Sequence, residues 1–118
     1  MNTWIGVDLD GTLAEYHGWP TDGSIGLPVW PMVKLVQHLL AEGNDVRIFT
    51  ARVAASGLMT PHGPDDQAYA DLQRILIDDW CLDYIGRALP ITATKDLAMT
   101  ELYDDRAIRV ETNTGRIL

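Results

Sequence analysis

The sequence predicts an α/β fold: a mostly parallel central sheet flanked by helices. Three observations carry that expectation. Short apolar runs alternate with helical stripes, in the order strand, helix, strand, helix, strand, strand and then a hairpin. The first run is apolar on both faces, as a buried parallel strand requires. Polar residues suited to chemistry follow the runs at once, where the C-terminal edge of an open parallel sheet binds ligands. The chain has 118 residues, enough for one domain with a real core, so residues 1–118 read as a single unit.

The elements follow in order. Thr3 to Val7 is the first apolar run; it ends at Asp8 and is followed by Gly11. Residues 13–30 are punctuated by Gly18, Pro20, Gly23, Gly26 and Pro28, which predicts a loop or small flap. Pro31 suits a first helical turn and Gly43 a helix stop. Between them Met32, Leu35, Val36, Leu39 and Leu40 form one apolar stripe. Asp45 to Thr50 reads as the second strand. Residues 53–65, with Gly57, Pro61, Gly63 and Pro64, predict an irregular insert. A second helix is expected over 66–81, with Tyr69, Leu72, Ile75, Leu76 and Trp80 inward. Pro90 to Thr94 reads as a short strand leading to Lys95, and Glu101 to Tyr103 as another ending at Asp104 and Asp105. Ala107 to Val110 and Arg116 to Leu118 flank Asn113-Thr114-Gly115, which predicts a C-terminal hairpin.

Composition narrows the classes. Seventeen acids face nine bases, a net charge of −8, which argues against a generic nucleic-acid coat or a basic membrane-surface helix. The single cysteine, Cys81, has no partner for an internal disulfide and reads as core. With no apolar span of membrane length and no leader pattern at MNTWIGVDLDG, a cytoplasmic, reducing location is expected. His38 and His62 have no second His or Cys at ligand spacing, so no zinc site is expected.

In a parallel sheet Asp8, Thr50, Lys95 and Asp104 would converge on one edge. Asp8 and Asp10, two positions apart in a turn, can face a common point, and Asp104 and Asp105 would add charge there. Carboxylates this close repel unless a cation or proton intervenes. A hard cation such as Mg²⁺, which takes carboxylate, water and phosphate oxygens, resolves the conflict. Thr50 offers a hydroxyl donor and Lys95 a point charge, both suited to a phosphate. A carboxylate can act as nucleophile towards phosphorus, and a second can protonate the leaving oxygen and then activate water.

Asp8-Leu9-Asp10-Gly11-Thr12-Leu13 resembles the DxDGT signature of the haloacid dehalogenase (HAD) superfamily. Thr50 after Val46-Arg47-Ile48-Phe49, then Lys95, then Asp104-Asp105 are similar to its second, third and fourth motifs, in order over nearly the whole chain. The resemblance implies a Rossmann-like fold and a Mg²⁺-dependent phosphomonoester hydrolase working through an aspartyl-phosphate. It implies Asp8 as nucleophile and Asp10 as general acid/base, with the Asp10 backbone carbonyl on the metal. Thr50 and Lys95 would hold the phosphate, and Asp104 and Asp105 would hold Mg²⁺, either of them as the direct ligand. The gaps between motifs leave no room for a folded cap. Such an open site resembles those acting on large substrates, or those closed by a neighbouring subunit.

A narrower similarity is to the 3′-phosphatase domains of phage polynucleotide kinases, through Phe49-Thr50-Ala51-Arg52, the helix with Tyr69 and Trp80, and Tyr103-Asp104-Asp105-Arg106. It makes Arg52 a substrate-binding candidate and a nucleotide or polynucleotide 3′-phosphate an alternative to a phosphorylated small molecule. Against nucleic acid stands an acidic stretch, Asp65, Asp66, Asp71, Asp78, Asp79 and Asp83 with Arg74 alone opposing. Arg47, Arg52, Arg106 and Arg109 could form a positive rim, and Tyr16, His17 and Trp19 in the flap could touch a leaving group. The other class is a protein that keeps the metal and phosphate pocket without turnover.

Overall fold

The structure, a computed structural model, describes residues 2–18, 22–60, 63–64 and 66–118; Trp19, Pro20, Pro61, His62 and Asp65 lie outside the described residues. In chain order the elements are β1 (Trp4–Asp8), α1 (Trp30–Ala41), β2 (Val46–Phe49), a 3₁₀ turn (Ala51–Val53), β3 (Met59–Thr60), β4 (Gly63–Pro64), α2 (Gln67–Tyr84), β5 (Ile91–Thr92) and β6 (Met99–Tyr103). The main sheet has the order β5-β2-β1-β6, and all three pairings are parallel.

β1 lies at the centre, with Trp4, Ile5, Gly6 and Val7 buried, which is why its sequence is apolar on both faces. Gly6 leaves room for close packing there: a Cβ would stand 3.1 Å from both Leu102 Cδ1 and Met99 Sδ, so those side chains would have to shift. The register sets Asp8 opposite Phe49 and Val7 opposite Tyr103, so Asp8, Thr50 and Asp104 leave their strands at one level. The chain builds outward from β1 through β2 to β5 and then returns to β1's other flank with β6. The order therefore reverses between β1 and β6, and ligands of open parallel sheets bind at such a reversal.

Helix α1 begins one residue before Pro31 and ends before Gly43, as the sequence indicates. Its buried residues are Val33 and Val36; Met32, Leu39 and Leu40 pack more shallowly against the core. Helix α2 is capped by Asp66, whose side chain accepts from the Tyr69 N–H at 2.9 Å. Its inward face differs from the expected one: Ala70, Gln73, Ile77, Trp80 and Cys81 are buried, whereas Leu72 and Ile75 are 53% and 59% exposed. The helix is turned so that Gln73 faces inward to a buried arginine, described below.

The segment expected to be irregular from 53 to 65 instead begins inside the 3₁₀ turn and carries the two-residue antiparallel pair β3–β4. The flap is laced at its base by Glu15 N–H to Leu27 C=O and Val29 N–H to Leu13 C=O, each 2.8 Å. The C-terminal hairpin is reduced to one antiparallel bridge, Val110 to Ile117, around a turn in which Asn113 and Gly115 take positive φ. Among the described residues no helix is long and apolar enough to cross a membrane.

Candidate functional site

Asp8 ends β1, and Asp104 and Asp105 follow β6 directly. One carboxylate oxygen from each of Asp8, Asp104 and Asp105 lies within 4.8 Å of the others. Thr12, in the turn after β1, joins the two sides. Its Oγ1 donates to Asp105 Oδ1 at 3.0 Å and accepts from the Asp105 N–H at 3.0 Å; Asp8 Oδ2 stands 3.5 Å from the same Oγ1. Gly11 makes the approach possible, since at φ +92° it carries no Cβ, and one would meet Asp105 Oδ2 at 2.5 Å.

The electrostatics follow from that crowding. The Asp8 carboxyl is pushed up to about 7, first by burial, then by the charge on Asp104 and a hydrogen bond with Asp105. Burial alone would raise Asp105 as well, but the hydrogen bonds from Thr12 and Asp8 outweigh it and hold Asp105 below its ordinary value. Without a cation, Asp8 thus holds its proton up to a pH of about 7, hydrogen-bonded with Asp105. A set of hard oxygen donors this close, each otherwise repelling the next, fits a divalent cation such as Mg²⁺.

Asp10 belongs to a different arrangement. Both its carboxylate oxygens accept from Arg52, Oδ2 from Nε and Oδ1 from Nη2, each at 2.8 Å. Arg52 also donates through Nη1 to Gly23 C=O at 2.7 Å and Gln73 Oε1 at 2.8 Å, and through Nη2 to Ser24 C=O at 2.9 Å. All five of its N–H donors are thereby engaged, and its side chain is 1% exposed. Arg52, a substrate-binding candidate from the sequence, is thus held by these bonds as a buried strut joining the Asp10 turn, the flap and α2. Trp80 adds to that anchorage by donating to Gly26 C=O at 2.9 Å.

Thr50 caps its own turn, accepting from the Arg52 N–H at 3.2 Å, and also lines a cleft of about 100 Å³ with Asp8, Asp10, Tyr16, Ala51, Asp104 and Arg106. A second cleft, lined by Glu15, Tyr16, His17, Gly18, Ser24, Gly26 and Arg52, shares Asp10 and Tyr16 with the first. Tyr16 thus lines both clefts, and His17 the second only.

Lys95 is not brought into the cleft. It is exposed, on the loop that returns from the end of β5 to the start of β6. The next residue, Asp96, accepts from Trp4 Nε1 at 2.8 Å, and Ala98 C=O accepts from the Trp4 N–H at 2.9 Å. Trp4 opens β1, and Asp8 lies about 13 Å further along the strand at the usual rise. The loop is thus tied to the opposite edge of the sheet, which a strand-end reading of Lys95 did not foresee. None of Asp66, Asp71, Asp78, Asp79 and Asp83 lines either cleft.

One participant escaped the sequence reading: Gln73, whose spacing from Ala70, Ile77 and Trp80 places it on one helical face with them. Arg106 sits on the cleft wall, with its guanidinium 5.7 Å from the centre of the Tyr16 ring. Comparison with protein-family models, with curated proteins and with solved structures finds no match to this chain.

Proposed function

We propose that this chain is a phosphomonoester hydrolase of the HAD type, working through an aspartyl-phosphate on Asp8. The observation that carries the reading is the cluster of Asp8, Asp104 and Asp105 at the reversal between β1 and β6, built around a DxDGT turn and opening on a cleft shared with Thr50. Asp8, Asp104 and Asp105 would hold the divalent cation. Bound there, Mg²⁺ would offset the acids' mutual repulsion and draw charge from the phosphoryl oxygens.

The residues' own work is as follows. An ionised Asp8 oxygen bonds to phosphorus as the ester P–O bond breaks, and the leaving oxygen takes a proton from Asp10. Water then attacks the phosphorus, giving a proton to Asp10. The bond between Asp8 and phosphorus breaks, returning the carboxylate and releasing inorganic phosphate. Arg52 steers Asp10 for both steps. Each Asp10 oxygen keeps a lone pair besides the one facing Arg52, so the carboxyl can be held and still exchange a proton. Thr50, whose oxygen already accepts from the Arg52 N–H, has its own O–H to donate to a phosphoryl oxygen.

The test is hydrolysis of p-nitrophenyl phosphate with Mg²⁺ by the full chain, with and without EDTA, and by Asp8→Asn. Turnover that needs Mg²⁺ and disappears in the variant is expected. Turnover that survives Asp8→Asn, or a wild type inert towards a broad panel of phosphoesters, would overturn the reading.

A further inference from the structure

We propose that Arg106 is the cationic side chain that receives the phosphate group in the cleft beside Asp8; this rests on the phosphatase reading above. A phosphate ester entering that cleft meets Asp8, Asp10 and Asp104, so its approach needs positive charge besides any cation held by the acids. Arg106 is the one base among the described residues that line the cleft. Of the two cations that the family resemblance would use instead, one is fully engaged and the other lies off the cleft lining. Every donor of Arg52 is engaged by protein acceptors. Lys95 sits on the loop tied to Trp4, away from the cleft lining.

The local structure of Arg106 suits the role. Its backbone N–H donates to Asp104 Oδ1 at 2.8 Å, so the turn that delivers a cluster carboxylate also fixes where the arginine leaves the chain. Its guanidinium lies over the Tyr16 ring, and it makes no side-chain hydrogen bond or ion pair with a described residue. Contact with the ring restrains the plane of the guanidinium while leaving its N–H fork available for two phosphoryl oxygens. Tyr16 is then a positioning residue, acting through Arg106. Because Arg106 is exposed on the surface after β6, its replacement leaves the buried core untouched.

The experiment titrates inorganic phosphate into the full chain with saturating Mg²⁺ by calorimetry, alongside steady-state hydrolysis of p-nitrophenyl phosphate. Arg106→Ala is expected to weaken phosphate binding and raise KM by about tenfold, with kcat changed by less than about threefold. Arg106→Lys should fall between wild type and Arg106→Ala, because an ammonium keeps the charge but loses the fork. Lys95→Ala should stay within about twofold of wild type. Phosphate affinity that is unchanged in Arg106→Ala, or lost in Lys95→Ala instead, overturns the assignment. A wild type that binds phosphate but hydrolyses no phosphoester would sink the phosphatase reading alone, leaving calorimetry to decide Arg106. A wild type that binds no phosphate sinks both.

Discussion

Arg52 grips both carboxylate oxygens of Asp10 at 2.8 Å, two residues that stand 42 positions apart in sequence. The pair is nearly dry, with the arginine side chain 1% and the aspartate side chain 14% exposed. Removing Arg52 would strand the charge of Asp10 and leave Ser24 C=O and Gln73 Oε1 without their donor, with Gly23 C=O keeping only Gln73 Nε2 at 3.4 Å. Arg52→Ala is therefore expected to cost about 3–5 kcal/mol in urea unfolding, and Arg52→Lys to recover only part of it, since one ammonium cannot span five acceptors. A loss below about 1 kcal/mol would refute the strut.

Asp8 makes a prediction of opposite sign. Its carboxyl is pushed up to about 7 in the fold from an ordinary value of 3.8. Between those values the folded state holds the extra proton, so the associated stability is complete below the lower value and is lost as pH rises through the upper one. In EDTA the wild-type melting temperature should fall between pH 5 and pH 8. Asp8→Asn should flatten that fall and melt higher than wild type at pH 8, while losing turnover. Melting scans at both pH values check this; an Asn variant less stable than wild type at pH 8 would refute the crowding of carboxylates.

Thr12 is the stitch between the two strands of the site. Thr12→Val keeps the shape but removes the hydroxyl that donates to Asp105 Oδ1 and accepts from the Asp105 N–H. A loss of about 1–3 kcal/mol is expected in urea unfolding, together with weaker Mg²⁺ binding by calorimetry. Unchanged Mg²⁺ affinity would show that Asp105 needs no such support.

Cys81 is fully buried, and its thiol is pushed up to about 12, chiefly by burial and further by the charge on Asp78. The native chain should resist iodoacetamide at pH 8 and react at once when unfolded in urea. Rapid native labelling, followed by mass spectrometry, would contradict that burial.

Much of the architecture was legible because short apolar runs and polar strand ends are local signals. Trp4 to Asp8 announces a buried strand in its own composition, and the DxDGT turn needs no distant information. What pattern reading missed depends on partners far along the chain. Leu72 and Ile75 satisfy helical periodicity, yet α2 turns Gln73 inward because a buried guanidinium on another element requires an acceptor. Lys95 follows a strand in sequence, but the six-residue return from β5 to β6 must cross to the sheet's other edge, and Trp4 holds it there. Arg106 drew notice in the Tyr103-Asp104-Asp105-Arg106 run and as part of a general positive rim; its place depends on the ring of Tyr16, which reaches it from the flap.

The placement of β6 on the far flank of β1 has a consequence for how the molecule assembles. Thr12 and Asp105 are 93 positions apart and meet only when that last strand docks. An intermediate holding β1, β2 and both helices would lack two of the three clustered acids, and so would have little hold on a divalent cation. Such long-range closure is slow to nucleate, and a cation that binds only the finished sheet would act on the unfolding rate more than on the folding rate. Metal occupancy would then serve the chain as a kinetic latch on its own completion.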